Sequence, residues 1–471
     1  MNEKYKYLGK NTLIFAISSF GTKFLSFLLV PLYTNVLSTE EYGTADLITT
    51  TATLLIFVLT INIAEAVLRF SIERKTNQNE ILSYGIRVLL LGTLWCGIGL
   101  GVVALTRLLL WPPHYYLFVL LTFFSTALYQ ILTNYLRGVD KVRQVAVAGI
   151  ISALALILSN ILFLLIIKIG IVGYLISLVL GPLVASIYCI LVIREPGKVY
   201  IRNLCDAETM RAMRAYCIPL IFNNIALWIN AFLDRYFVTY YCGVGENGIY
   251  SVASKIPTIL ATCYTVFSQA WNLSAIKEFD PEDKDGFFSK TYEVYNSLIV
   301  TVCSVLILLN IPLAKFIYAK EFFAAWQYSS ILLISVMFNS LTIIIGSIFS
   351  AVKETKAIAT TTVLSAVVNT ILNAILIPLI GALGAAIATA VAYLVMWAAR
   401  LVMSRKYIKF RVNWIRDCVI YCVLGLQIVF EHMNGHMYVG QVLCLASIIG
   451  MNFKQIGILS KKVMGMVKNN Q

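Results

Sequence analysis

Apolar runs of about twenty or more residues, separated by short polar segments, recur along this whole chain. A run of that length crosses ~30 Å of hydrocarbon as an α-helix, so the pattern predicts a chain that threads a membrane repeatedly. Fourteen spans fit, at about 11 to 36, 44 to 70, 82 to 108, 114 to 137, 143 to 167, 171 to 194, 215 to 241, 248 to 274, 291 to 314, 325 to 350, 357 to 379, 382 to 403, 414 to 433 and 437 to 457. The first two form a hairpin around the acidic turn Ser38-Thr39-Glu40-Glu41-Tyr42-Gly43, and the first run carries a charge at its middle. Ser19, Thr22, Lys23 and Ser26 are spaced i, i+3, i+4, i+7 and make one polar stripe. Lys23 lies about 12 residues from either end of its span, or ~18 Å, beyond the reach of a snorkelling lysine stem. It therefore faces protein or water rather than lipid.

An even number of spans puts both termini on one side. With the N-terminus in the cytoplasm, thirty of the 37 lysines and arginines fall in cytoplasmic segments; Arg107, Lys168, Lys315 and Lys320 lie outside, and Lys23, Arg235 and Lys255 lie within spans. That asymmetry satisfies the positive-inside rule. The two longest connections, near 195 to 214 and 275 to 290, leave no room for a soluble catalytic domain.

The pattern also repeats. Ile169-Gly170-Ile171-Val172-Gly173 after span five recurs as Ile380-Gly381-Ala382-Leu383-Gly384 after span eleven, and the Glu41-Tyr42-Gly43 turn corresponds to Asn247-Gly248 after span seven. Six spans separate the copies, so the halves share one orientation and form a parallel repeat about an axis along the membrane normal. The expected organisation is a six-helix lobe over residues 1–200, a second over 201–410, and an appended pair, spans thirteen and fourteen, over 411–471. The linker before that pair runs from Arg400 through Arg405, Lys406, Lys409 and Arg411 to Arg416, mixed with Tyr407, Phe410 and Trp414, a composition suited to the anionic cytoplasmic leaflet.

Composition narrows the function classes. Hydrophobic residues make up 59% and charged residues 13%, against about 45–50% and ~25% in ordinary globular proteins, which makes this an integral membrane protein. The net charge of +14 sets topology and does not imply nucleic acid. The ten cysteines lie mostly in apolar runs without a C-x-x-C pair, so they read as small packing residues and not as a disulfide framework or zinc site. The first run is too long for a signal peptide and is expected to be retained. No cofactor is expected. The absence of a G-x-x-x-x-G-K-[ST] segment argues against ATP hydrolysis by this chain.

Candidate chemistry sits on the polar faces of a few spans. Span eight carries Ser251, Lys255, Thr258, Thr262, Thr265, Gln269 and Asn272 at steps of three or four residues, either a seam of interhelical hydrogen bonds or the wall of a water-lined cavity; we favour the wall. Span seven aligns Asn223, Asn230 and Asp234 on one face and Asn224, Trp228 and Arg235 on the next. Asp46 is read in the first turn of span two, where it serves either as a helix-dipole anion or as an ion-exchanging group. Glu65 and Arg69, spaced i, i+4, read as a local ion pair. His432 and His436 flank a turn and do not suggest a metal site. Pro31, Pro219 and Pro257 place bends in spans one, seven and eight, the polar-faced helices.

Phe20-Gly21, Pro31-Leu32-Tyr33-Thr34, Leu37-Ser38, Glu41-Tyr42-Gly43, Gln269-Ala270-Trp271 and Gly381-Ala382-Leu383-Gly384-Ala385-Ala386, in this order, resemble the polysaccharide transporter branch of the multidrug/oligosaccharidyl-lipid/polysaccharide exporter superfamily, the oligosaccharide-lipid flippases. The resemblance implies an all-α integral membrane fold of two six-helix lobes around a central cavity lined by helices one, two, seven and eight. It also implies flipping of undecaprenyl-diphosphate-linked sugars to the outer face of the plasma membrane, in a pathway with glycosyltransferases and a polymerase. The family's cavity cations match Lys23, Arg235 and Lys255 here, with Thr22, Thr258, Thr262 and Asn230 as neighbouring cargo contacts. Two alternatives stand beside this reading. An ion-coupled multidrug exporter of the same fold would use carboxylates such as Asp46 and Asp234. A membrane enzyme, such as a sugar polymerase or acyltransferase, would need a large external loop or paired catalytic residues, which the sequence lacks.

Overall fold

The computed structural model describes residues 27–73, 78–106, 111–193, 206–433 and 437–468. Among them, ten helices are long and apolar enough to cross a membrane, and the rest of the fold is helical as well. Hydrocarbon offers a spanning backbone no water to bond with, so each segment closes its own hydrogen bonds as a helix. The chain forms an all-α membrane fold.

The described residues group into two compact units, one up to Trp228 and one from Ile229 onward. The first contains α1 (Val30–Val36), α2 (Thr39–Leu59), α3 (Ile63–Ile72), α4 (Gln78–Thr106), α5 (Pro113–Gly138), α6 (Val142–Asn160), which continues as a π-helical turn over Ile161–Ile166, and α7 (Gly170–Ile193). Helix α8 (Ala207–Cys242) spans the division. The second unit continues with α9 (Val244–Ala253), α10 (Lys255–Lys277), α11 (Phe287–Leu308), α12 (Asn310–Ile317), α13 (Trp326–Ala351), α14 (Thr355–Ile380), α15 (Ala382–Ser404), α16 (Trp414–His432) and α17 (Tyr438–Lys468).

Several spans begin or break where the hydropathy pattern does not place them. Ser38 caps α2 in a capping box, its side chain accepting from the Glu41 N–H at 3.1 Å while the Glu41 carboxylate accepts from the Ser38 N–H at 2.9 Å. The helix thus starts at Thr39 and absorbs the expected turn. Asp46 consequently lies two turns inside it, and Glu40 and Glu41 hold the dipole position that the sequence reading gave to Asp46. Span two is interrupted between α2 and α3, and span eight between α9 and α10 at Ser254, just ahead of Pro257. Pro219 is accommodated inside α8, and Pro31 occupies the first turn of α1. The expected Glu65–Arg69 pair is replaced by Arg69–Glu73 at 3.2 Å.

The repeated glycine segment takes the same local form in both units. Gly170, the first residue of α7, and Gly381, immediately before α15, adopt φ of +58° and +62°, the left-handed region open to glycine. Three residues on, a Cβ on Gly173 would lie 2.7 Å from Phe163 Cβ, and one on Gly384 would lie 2.6 Å from the Leu376 carbonyl carbon. The motif therefore encodes a reversal followed by close helix approach.

Unit one packs around Ile63, Val67, Leu89, Phe123 and Ile131. Unit two packs around α13, whose Leu333, Met337, Leu341, Ile345 and Phe349 recur every four residues and are all buried. The appended helix α16 joins unit two by a polar seam along its length. Arg416 pairs with Glu293 at 2.7 Å, Tyr421 donates to Asn296 at 3.0 Å, Gln427 and Ser304 exchange two bonds at 2.7 and 2.9 Å, and the fully buried Glu431 accepts from Asn310 at 2.7 Å and from Ser330. In the connection between α10 and α11, Asp280 accepts backbone N–H bonds from Glu282 and Lys284, which hold its carboxyl below the ordinary carboxylate value.

Candidate functional site

Asp234 is the centre of the most developed polar site in unit two. It sits on α8, 4% exposed, and its carboxylate accepts from the Tyr250 hydroxyl at 2.6 Å, the Thr389 hydroxyl at 3.3 Å and the Arg235 backbone N–H at 2.9 Å. A buried carboxylate persists only when its lone pairs are met, and here α8, α9 and α15 each supply a donor. The Arg235 guanidinium reaches the Ser251 hydroxyl at 3.4 Å and lies 5.0 Å from the centroid of the Phe232 ring.

The network continues through α14. Asn369 donates to Thr389 at 3.3 Å, and Asn373 donates to Asn369 at 2.9 Å. One turn before Asp234, Asn230 accepts from Ser365 at 2.9 Å and donates to the Thr362 carbonyl at 3.3 Å. The Thr362 hydroxyl in turn accepts from Arg400 at 3.2 Å. Arg400 is 6% exposed and also donates to the Thr361 hydroxyl at 3.1 Å and the Thr342 carbonyl at 2.7 Å. This corrects its assignment to the solvated linker: the guanidinium ties the end of α15 to α13 and α14. Among the described residues, no carboxylate lies within ion-pair distance of it.

A cavity of about 170 Å³ opens beside Asp234, walled by Asn230, Asp234, Arg235, Tyr250, Thr258 and Thr389 with apolar Leu332 and Val336. At ~30 Å³ per water it holds a handful of waters or a small hydrated ion.

Unit one carries a second buried polar group. Tyr33, Tyr42 and Tyr174 cluster with centroid distances of 4.7, 5.9 and 6.3 Å, and Asn160 donates to the Tyr33 hydroxyl at 3.2 Å. Asn160 occupies the last α-helical position before the π-turn, a distortion that commonly accompanies functional sites.

The structure thus brings together four of the sequence candidates, Asn230, Asp234, Arg235 and Thr258, on one cavity. Lys255, half-buried, opens α10 beside this wall, and Thr262 is buried one turn beyond Thr258, donating to its carbonyl at 2.8 Å. Much of the span-eight stripe bonds to its own helix in this way: Thr258 donates to Ser254 and Thr265 to Ala261. Asp46 lies in unit one. Lys23 and Thr22 lie outside the described residues. Sequence reading missed Tyr250, Thr389 and the α14 stripe of Thr362, Ser365, Asn369 and Asn373. The stripe was available as spacing on a single helix face; the roles of Tyr250 and Thr389 were not.

Residues 8–272 match the family model described as polysaccharide biosynthesis protein. The chain belongs to the polysaccharide biosynthesis protein family. No curated protein matches it in sequence at a significant level. Among solved structures, the fold is similar to a lipid II flippase MurJ in an inward closed conformation, with a TM-score of 0.72 and 15% identity over 96% of this chain and 100% of that one. It is also similar to a multidrug resistance MATE family transporter of the MOP superfamily. For the inward-facing conformation the TM-score is 0.66, with 13% identity over 82% of this chain and 95% of that one; for the outward-facing conformation it is 0.61, with 14% identity over 85% and 96%. At such identities the likeness establishes a shared fold. This member of the polysaccharide biosynthesis protein family therefore has the fold of membrane flippases and exporters.

Proposed function

We propose that this chain is a plasma-membrane flippase that moves oligosaccharide repeat units, linked to undecaprenyl through a diphosphate, across the bilayer by alternating access for cell-surface polysaccharide synthesis. The observation that carries this reading is the family match over residues 8–272, supported by a flippase-like fold along 96% of the chain. In this reading Lys23, Arg235 and Lys255 attract the diphosphate, and Thr22, Thr258, Thr262 and Asn230 contact the cargo. Charged hydrogen bonds in a confined site favour a multiply charged anion strongly. Asp46 and Asp234 exchange a proton or sodium ion, and the cavity beside Asp234 has room for a small hydrated ion. Both termini face the cytoplasm, the basic linker rests on anionic lipid, and glycosyltransferases and a polymerase of the same pathway act before and after this step.

Cells lacking the protein should lose surface polysaccharide and accumulate the lipid-linked repeat unit on the cytoplasmic leaflet. Unchanged surface polysaccharide would refute the reading. The second reading, an ion-coupled multidrug exporter, draws on the buried carboxylate site and the likeness to MATE transporters. It predicts instead that loss of the protein sensitises cells to organic cations and leaves the polysaccharide intact.

A further inference from the structure

Span two breaks at a point where its sequence contains no breaker. Between Gly43 and Gly85 the chain has neither glycine nor proline, and the hydropathy pattern runs through without a gap. Yet α2 ends at Leu59 and α3 begins at Ile63, with Ile61 at φ +46° and Asn62 at φ +54°. Asparagine tolerates the left-handed region; a β-branched isoleucine there is a steric outlier. Local preference favours one continuous helix.

The break is therefore imposed by neighbours, and three of them are visible. Asn134 of α5 donates to the Ala64 carbonyl at 3.1 Å, and the Cys217 thiol of α8 donates to the Asn62 carbonyl at 3.6 Å. Gly92 of α4 leaves space where a Cβ would lie 2.8 Å from the Leu59 carbonyl oxygen. The arrangement is incomplete, because Asn62 is 7% exposed and its side-chain N–H₂ finds no hydrogen-bond partner among the described residues. A segment held against its own conformational preference, with a buried donor left unsatisfied, has the makings of a two-state element.

We infer that Thr60-Ile61-Asn62 is a hinge at which span two alternates between this broken form and a continuous helix. The Asn134 and Cys217 bonds hold the broken form, and releasing them lets the helix straighten and swing α3, with its exposed Glu65 and Arg69. The inference deepens the transport reading by naming a moving element, but it is tested without measuring transport.

Spin labels on cysteines introduced at the exposed positions Glu40 and Arg69 report the span-two geometry in lipid nanodiscs. A straight helix separates these positions by roughly 43 Å, and the break shortens that distance. The wild-type sequence should show both populations. Ile61→Gly/Asn62→Gly removes the left-handed penalty and should lower the long population about fivefold or more; Asn62→Ala raises the penalty and should enrich it by a similar factor. A single distance unmoved by either substitution overturns the hinge. Should Asn62→Ala fail to fold, the glycine pair, which relieves strain, decides the matter alone. A static break in a protein that still flips its cargo would sink the hinge and leave the transport reading standing; two populations in a protein that flips nothing would do the reverse.

Discussion

Replacing Asp234 separates what the carboxylate does for the fold from what it does for transport. Asparagine keeps the shape, and with its carbonyl oxygen toward Tyr250 it retains the 2.6 Å hydrogen bond as a neutral one. Bonds to a charged acceptor contribute about 1.5–3 kcal/mol and neutral ones about 0.5–1.5, so the exchange loses about 1 kcal/mol there, offset by relief from burying a charge. Asp234→Asn should therefore melt close to wild type in detergent. Leucine leaves the Tyr250 hydroxyl buried without an acceptor, at a cost of about 1–3 kcal/mol for that group alone, and unlinks Thr389 on α15 from α8. Asp234→Leu should melt clearly lower. Dependence of transport on the ion gradient should vanish in both, since neither side chain titrates. Equal destabilisation by the two substitutions would refute the hydrogen-bond account, and undiminished ion dependence in Asp234→Asn would remove Asp234 from coupling.

Other regions give sharper structural tests. Gly384→Leu drives a side chain into the Leu376 backbone and should destabilise the protein by at least about 1–3 kcal/mol, visible as lost thermal stability. Arg400→Met should be nearly neutral, because Thr361 and Thr362 still donate to the Ala357 and Ile358 carbonyls; Thr361→Val/Thr362→Val strips two acceptors from a buried guanidinium and should cost about 1–3 kcal/mol for each. Ionised Asp280, its carboxyl held low by two backbone N–H groups, contributes stability above the ordinary value near 4 that fades as pH falls further; hydrogen exchange at Glu282 and Lys284 should quicken on acidification, and Asp280→Asn should abolish that response. A cysteine placed at Glu41 should react with an impermeant reagent in intact cells, and reaction only after permeabilisation would reverse the topology.

The all-helical membrane class was legible because hydrocarbon imposes length and hydropathy directly, and ten of the described helices meet that demand. The glycine repeat at Gly170 and Gly381 was equally legible, since a left-handed reversal and a close helix approach both need that residue type. What escaped the sequence arises from tertiary contacts. No local signal marks the break at Ile61-Asn62, because Asn134 and Cys217 impose it from other helices. Span eight announces its interruption through Pro257, although the break falls three residues earlier. Asp234 was visible as an intramembrane charge, but its donors stand 16 and 155 residues away in the chain. Arg400 looked like linker because it lies near the end of a span, and only the packing of α13 and α14 around it shows burial. The same holds for Glu431 on the seam of α16.

The claim that this protein carries a lipid-linked diphosphate is tested most directly in reconstituted vesicles, by following arrival of an undecaprenyl-diphosphate oligosaccharide at the opposite leaflet. The wild-type protein should raise the rate well above that of protein-free vesicles, and Lys23→Gln/Arg235→Gln/Lys255→Gln should lower it at least about a hundredfold, as expected for losing several charge-assisted contacts of about 1.5–3 kcal/mol each, while remaining folded. Full-rate flipping by the folded triple variant, or none by the folded wild-type protein, would contradict the account.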